Sequence, residues 1–132
     1  MREFSLSWRS SKNPKKQRKY RYEAPLHLRR KLMRIHLTQD LSKKHSIRNI
    51  SVRKGDKIRV IKGDFKKLEG KVDRVNLKDY KIYVEGIERA KKDGTKALIP
   101  LAPANVILIE LDLEDKRRLK TPQKEAPKGG KK

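Results

Sequence analysis

The chain has 132 residues, with 38 Lys and Arg against 16 Asp and Glu and a formal net charge of +22 at pH 7. That length gives room for one compact domain with extensions, and cations at this density repel one another unless a polyanion neutralises them. Cysteine is absent, which excludes disulfides and thiolate metal sites, and 34% hydrophobic against 41% charged residues leaves part of the chain too polar to fold alone.

The charge is unevenly spread. Residues 1–50 hold 15 basic and 3 acidic side chains, residues 51–115 hold 15 and 12, and residues 116–132 hold 8 and 1. The near-balanced middle also holds most of the Val, Ile and Leu, so the folded domain is expected there, between two cationic extensions. The opening MREFSLSWRSS has no apolar core of the kind a secretory signal needs, and Val106-Ile107-Leu108-Ile109 is far short of a membrane span. A soluble, cytoplasmic protein is the expectation.

In chain order, residues 1–24 read as a basic arm without helical or strand periodicity. Within it, Lys12, Asn13, Lys15, Lys16, Arg18, Lys19 and Arg21 offer donors to phosphates, while Tyr20 and Tyr22 offer flat faces to unstacked bases. Trp8 and Phe4 are candidates to anchor the N-terminus in an RNA or protein pocket. Residues 25–47 read as a helical segment packing on the domain. Ala24-Pro25 opens a helix whose Leu28, Leu32 and Met33 face the protein, with His27, Arg29, Arg30 and Arg34 turned outward. Ile35-His36-Leu37 is extended, and Thr38 can cap a short helix to about Lys44.

From residue 48 to 115 the pattern is β, with strands expected at about 57–62, 71–77, 80–85, 97–99 and 106–110. In Lys57-Ile58-Arg59-Val60, alternation turns the apolar side chains to one face and the charges to the other. Gly63 and Gly70 bracket a loop, Asp64-Phe65-Lys66-Lys67-Leu68-Glu69, that displays a ring beside two ammonium groups. With Arg53, Lys54, Lys62 and Lys71 at its margins, that loop is a second candidate nucleic-acid surface. Asn76-Leu77-Lys78-Asp79 is a tight hairpin, and Lys92-Asp93-Gly94 carries a type I′-like signal. Five short strands with tight connections predict a mainly β fold, an SH3-like small barrel. Residues 116–132 bury almost nothing and read as a basic disordered tail.

Catalytic chemistry finds no support. Between Gly63 and Gly70 lie six residues, and Val72 follows Lys71, where a P-loop needs four residues and then Ser or Thr. His27, His36 and His45 stand nine apart with no clustered carboxylates, so neither metal nor cofactor is expected. Asp56, Asp64 and Asp73 read as turn-formers and ion-pair partners.

Two blocks together resemble a known family: SSKNPKKQRKYRYEAPLHLRRKLM at residues 10–33, and the KOW motif VRKGDKIRVIKGDFKKLEGKVDRV followed by IYVEGIERAKKDG and NVILIELDLEDKRR. The chain resembles the large-subunit ribosomal protein family L-twenty-four of archaea, called L-twenty-six in eukaryotes, over about residues 10–118. The resemblance implies a non-enzymatic protein of the large ribosomal subunit, bound to rRNA near its 5′ end, active early in assembly and placed near the polypeptide exit tunnel beside other ribosomal proteins. It implies no cofactor, membrane or small-molecule substrate. Many relatives have glycine where this chain has Lys67. KOW alone is also found in transcription elongation factors, so a factor that binds nucleic acid transiently is the alternative, and a DNA-compacting basic protein a second.

Overall fold

A computed structural model describes residues 4–115, 118 and 119. Within them, eight strands follow the chain: β1 (Arg34–Leu37), β2 (Asn49–Ser51), β3 (Lys57–Val60), β4 (Glu69–Asn76), β5 (Lys81–Val84), β6 (Glu88–Ala90), β7 (Lys96–Leu98) and β8 (Val106–Glu110). Three α-helices precede the third strand: α1 (Pro14–Glu23), α2 (Leu26–Leu32) and α3 (Gln39–His45). Six strands form one sheet in the order β2-β1-β8-β3-β4-β5, and β6 and β7 pair separately.

The mainly β expectation holds, and all five expected strands are present within a few residues. Ile58 and Val60 of β3, Ile82 and Val84 of β5, and Val106 and Leu108 of β8 are buried in one core, as their alternation requires. Each such side chain contributes about 1.5–3 kcal/mol when taken out of water. The barrel is not closed by a strand ladder. Beyond the edge strand β5, an isolated antiparallel bridge joins Ile82 to Leu101 through backbone hydrogen bonds of 2.9 and 2.8 Å.

Strict alternation fails in β4, where Val72 is buried and Val75, three residues on, also packs against the core. A register shift between Val72 and Arg74 accounts for it: the extra residue lets both valines face inward. Gly70 also departs from expectation. It lies inside β4, paired with Ile58, and has no positive φ. A Cβ there would meet the Glu85 carbonyl oxygen at 2.5 Å and Val84 Cγ1 at 2.6 Å, so the glycine permits close approach of β5 instead of making a turn. At the β6–β7 tip, Gly94 alone takes a positive φ (+78°), whereas a type I′ turn needs two such residues.

Two further strands precede the barrel's five: β1 covers Ile35-His36-Leu37, the stretch expected to be extended, and β2 lies where the helical segment meets the barrel. β1 pairs in parallel with β8 and antiparallel with β2; β1 adds Ile35 and Leu37 to the core, and β2 adds Ile50. The largest departure is α1, in a stretch expected to lack periodicity. Asn13 accepts a hydrogen bond from the Lys15 N–H at 2.9 Å and Pro14 occupies the first turn, which together start a helix. The expectation of a disordered tail lies outside the described residues except at Arg118 and Leu119, and Arg118 is buried.

Candidate nucleic-acid interface

The arm presents its cations from a helix. Lys12, Lys15, Lys16, Arg18 and Arg21 are exposed on and before α1. Ten residues are too few for a stable isolated helix, so its contacts matter. Gln17 donates through Nε2 to the carbonyls of Trp8, Arg9 and Ser11, folding the preceding segment back on the helix. The Trp8 ring lies 5.0 Å from the Lys19 ammonium and 6.0 Å from that of Lys16. At the other end, Arg29 donates to the carbonyls of Tyr22 and Ala24, and the Tyr80 hydroxyl donates to the Arg21 carbonyl at 2.7 Å. Burial holds the Tyr80 phenol above its ordinary pKa, against an opposing pull from Arg29 and Arg21.

These contacts divide the residues expected to touch RNA. Tyr22 is 80% exposed and offers a free ring, whereas Tyr20 is 7% exposed and packs against Phe4 with centroids 5.2 Å apart. Phe4 and Trp8, candidates for an external pocket, are thus engaged by α1 itself. Asn13 caps the helix and Arg29 caps carbonyls at its end, so both side chains serve the fold. His27 and Arg30 on α2, with Arg34 on β1, remain exposed.

The loop between β3 and β4 runs over residues 61–68. Lys62, Lys66 and Lys67 are exposed, and the backbone turns through Gly63 at φ +100° and Lys67 at φ +75°. The Lys67 N–H donates to the Val60 carbonyl at 2.9 Å, which closes the loop against β3. Phe65 does not stand free beside the ammonium groups: it is half-buried against the core and pins the loop's base. Lys71 is exposed on β4 opposite Lys57. Arg53 is paired with Asp115 at 2.7 Å and Lys54 with Asp73 at 3.7 Å, so neither charge stands alone.

Three features escaped sequence reasoning. The β6–β7 hairpin carries exposed Arg89, Lys91, Lys92 and Lys96, signalled only by a Lys-Lys pair before a turn. Arg74 of β4 stacks its guanidinium 4.5 Å from the ring centroid of its cross-strand partner Tyr83 on β5, a pairing that only the register discloses. Asp56 is fully buried: it accepts the Arg53 and Asp112 N–H groups and both terminal nitrogens of Arg118. Its expected roles as turn-former and ion-pair partner are met, but by a residue 62 positions away.

The geometry is a barrel with cationic loop, helix and hairpin surfaces, and among the described residues no three His, Asp or Glu side chains are grouped to hold a metal. Residues 11–124 match the model of the ribosomal protein family called L-twenty-six in eukaryotes and L-twenty-four in archaea. The chain is also 46% identical over 108 residues, 82% of its length and 92% of the relative's, to large ribosomal subunit protein uL24 of Methanosphaera stadtmanae. With the family matched over most of its length, this chain belongs to those ribosomal proteins.

Proposed function

We propose that this protein binds large-subunit rRNA directly, near the 5′ end of that RNA, helps to initiate subunit assembly, and lies near the polypeptide exit tunnel beside other ribosomal proteins. Its family membership makes it a structural constituent of the large ribosomal subunit, in the cytoplasmic ribosome, and not an enzyme. The observation that supports direct RNA binding is the set of exposed cations, Lys62, Lys66, Lys67 and Lys71 on the loop side and Lys12, Lys15, Lys16, Arg18 and Arg21 on the arm, around a nearly neutral barrel.

The mechanism is positional. Residues 48–115 form the KOW body, residues 25–47 brace it, and the loop lays ammonium groups along RNA backbone while Gly63 keeps the chain low enough to approach. Residues 1–24 present α1 to a second RNA segment, with Tyr22 and His27 available to splayed bases and Arg30 and Arg34 to phosphates. Neutralising phosphates releases counterions, which drives binding and makes it salt-dependent. A protein that grips two segments fixes their relative position, which is how early binding assists assembly. Residues 120–132 add charge that is not required for placement.

Deletion tests this division. Removing residues 1–24 should weaken binding to a 5′-domain rRNA transcript far more than removing residues 120–132, in a filter-binding titration at fixed salt. Equal losses would remove the arm from the interface. Retention of a tagged copy with large subunits through a high-salt wash is the companion observation; release to the soluble fraction would contradict a structural placement.

A further inference from the structure

We infer that the outer face of β4 and β5, centred on Arg74 and Tyr83, is a separate site for a single unstacked RNA base; this rests on the RNA-binding reading above. Arg74 and Tyr83 are register partners, and the phenol ring lies under the guanidinium at 4.5 Å. Arg74 is exposed while the half-buried Tyr83 ring lies against it, so the ring steadies a guanidinium whose fork of N–H donors stays open to solvent.

The neighbours agree with a nucleic-acid ligand. Lys81 lies two residues from Tyr83 on the same face, and Lys71 precedes Arg74 across the bulge. Lys71, Arg74 and Lys81 enter no ion pair among the described residues, whereas nearby Arg59 is held by Glu69 at 2.6 Å and Lys57 by Glu110 at 3.4 Å. The face thus keeps free cations around one flat, pre-oriented group. Bases stack on arginine planes as they do on aromatic rings, while flanking lysines reach the adjoining phosphates. An acidic peptide would need the charges but not the stacked plane, which is why RNA is the better fit. The three residues from Lys71 to Arg74 span about 10 Å, so the site extends the KOW loop surface by one or two nucleotides.

The test uses the full-length chain and a 5′-domain rRNA transcript over a salt series. Arg74→Lys keeps the charge and loses the plane; Tyr83→Leu keeps apolar cover and loses the ring; Tyr83→Phe keeps the ring. The first two should each weaken binding about tenfold with an unchanged salt slope, within the range that loss of one stacked base produces, and the third should bind like wild type. Thermal unfolding of each variant, with titrations run well below its Tm, separates a lost contact from a weakened fold. Affinities of Arg74→Lys and Tyr83→Leu within twofold of wild type would overturn the inference while leaving the RNA-binding reading intact. Normal RNA affinity with failed incorporation into subunits would overturn it in favour of a protein partner. Failure of the wild-type chain to bind the transcript would remove both.

Discussion

Lys67 holds a φ of +75°, a region where a Cβ crowds the following carbonyl oxygen. The hydrogen bond from its N–H to the Val60 carbonyl fixes that conformation in place. Lys67→Gly should therefore stabilise the free protein by about 1 kcal/mol, read as a higher denaturant midpoint with an unchanged slope. The same change removes a loop cation, so it should also lower the salt dependence of RNA binding by about one contact. Stability and affinity then move in opposite directions, and a variant that lost both would show that the lysine side chain packs. Gly70 gives the converse case. A methyl group there meets the Glu85 carbonyl and Val84, neither of which is a flexible side-chain end, so Gly70→Ala should cost about 1–3 kcal/mol through overpacking. Gly63 and Gly70 looked alike in sequence. Gly63 does take the left-handed turn that position suggested, but what Gly70 does depends on Val84 and Glu85, fourteen and fifteen residues later at the end of β5.

At the scale of elements, local signals were legible and pairings were not. The strands announced themselves through alternation, and the turn at Asn76 through its side chain, which accepts the N–H groups of Lys78 and Asp79. α1 carried a readable start in Asn13-Pro14, obscured by the density of charge that follows. Nothing local distinguishes β1 as the parallel neighbour of β8, or joins Arg118 to Asp56. Arg118 also donates to the carbonyls of Ser51 and Asp112, so one guanidinium ties the end of β2, the turn before β3 and the strand exit of β8. Removing it strands a carboxylate that water does not reach. Arg118→Ala should cost about 3–5 kcal/mol, and a chain ended after Asp115 should lose the same amount while one ended after Leu119 keeps it. Equal stability of the two truncations, by urea unfolding, would refute the lock. The tie between α1 and the barrel has its own signature. Tyr80 is favoured in its protonated form by the fold, so its contribution is complete below about pH 10 and disappears as pH rises through a higher folded value. Unfolding followed from pH 8 to 11 should show a decline that Tyr80→Phe abolishes, and no change between pH 6 and 8 from this group.

Across the whole molecule, one charge distribution governs both the free and the bound state, with opposite dependence on salt. In the free chain, a net charge of +22 sets the arm, the loop and the hairpin repelling one another, and ion pairs among the described residues, such as Arg59–Glu69, Lys57–Glu110 and Arg118–Asp56, offset part of it. Screening shortens that repulsion, so added salt should raise the Tm of the isolated protein. Bound to RNA, the same cations stand against phosphates and gain from counterion release, so added salt should weaken the complex. Six to ten phosphate contacts would lose roughly 10³–10⁵ in affinity between 50 and 200 mM salt. Measuring both quantities on one preparation distinguishes a surface shaped for a polyanion from one stabilised by its own ion pairs. A basic protein whose lysines were mostly engaged internally would melt earlier as salt rose, because its attractive pairs would be screened. This chain should do the reverse: the Tm climbs and the affinity falls over the same salt range. The barrel limits how far the first effect goes, since residues 51–115 are nearly balanced, with 15 basic against 12 acidic side chains. Deleting residues 1–24 should therefore flatten the rise in Tm as well as the fall in affinity. Loss of only one of the two would mean that the cations repelling within the fold are not the ones that meet RNA.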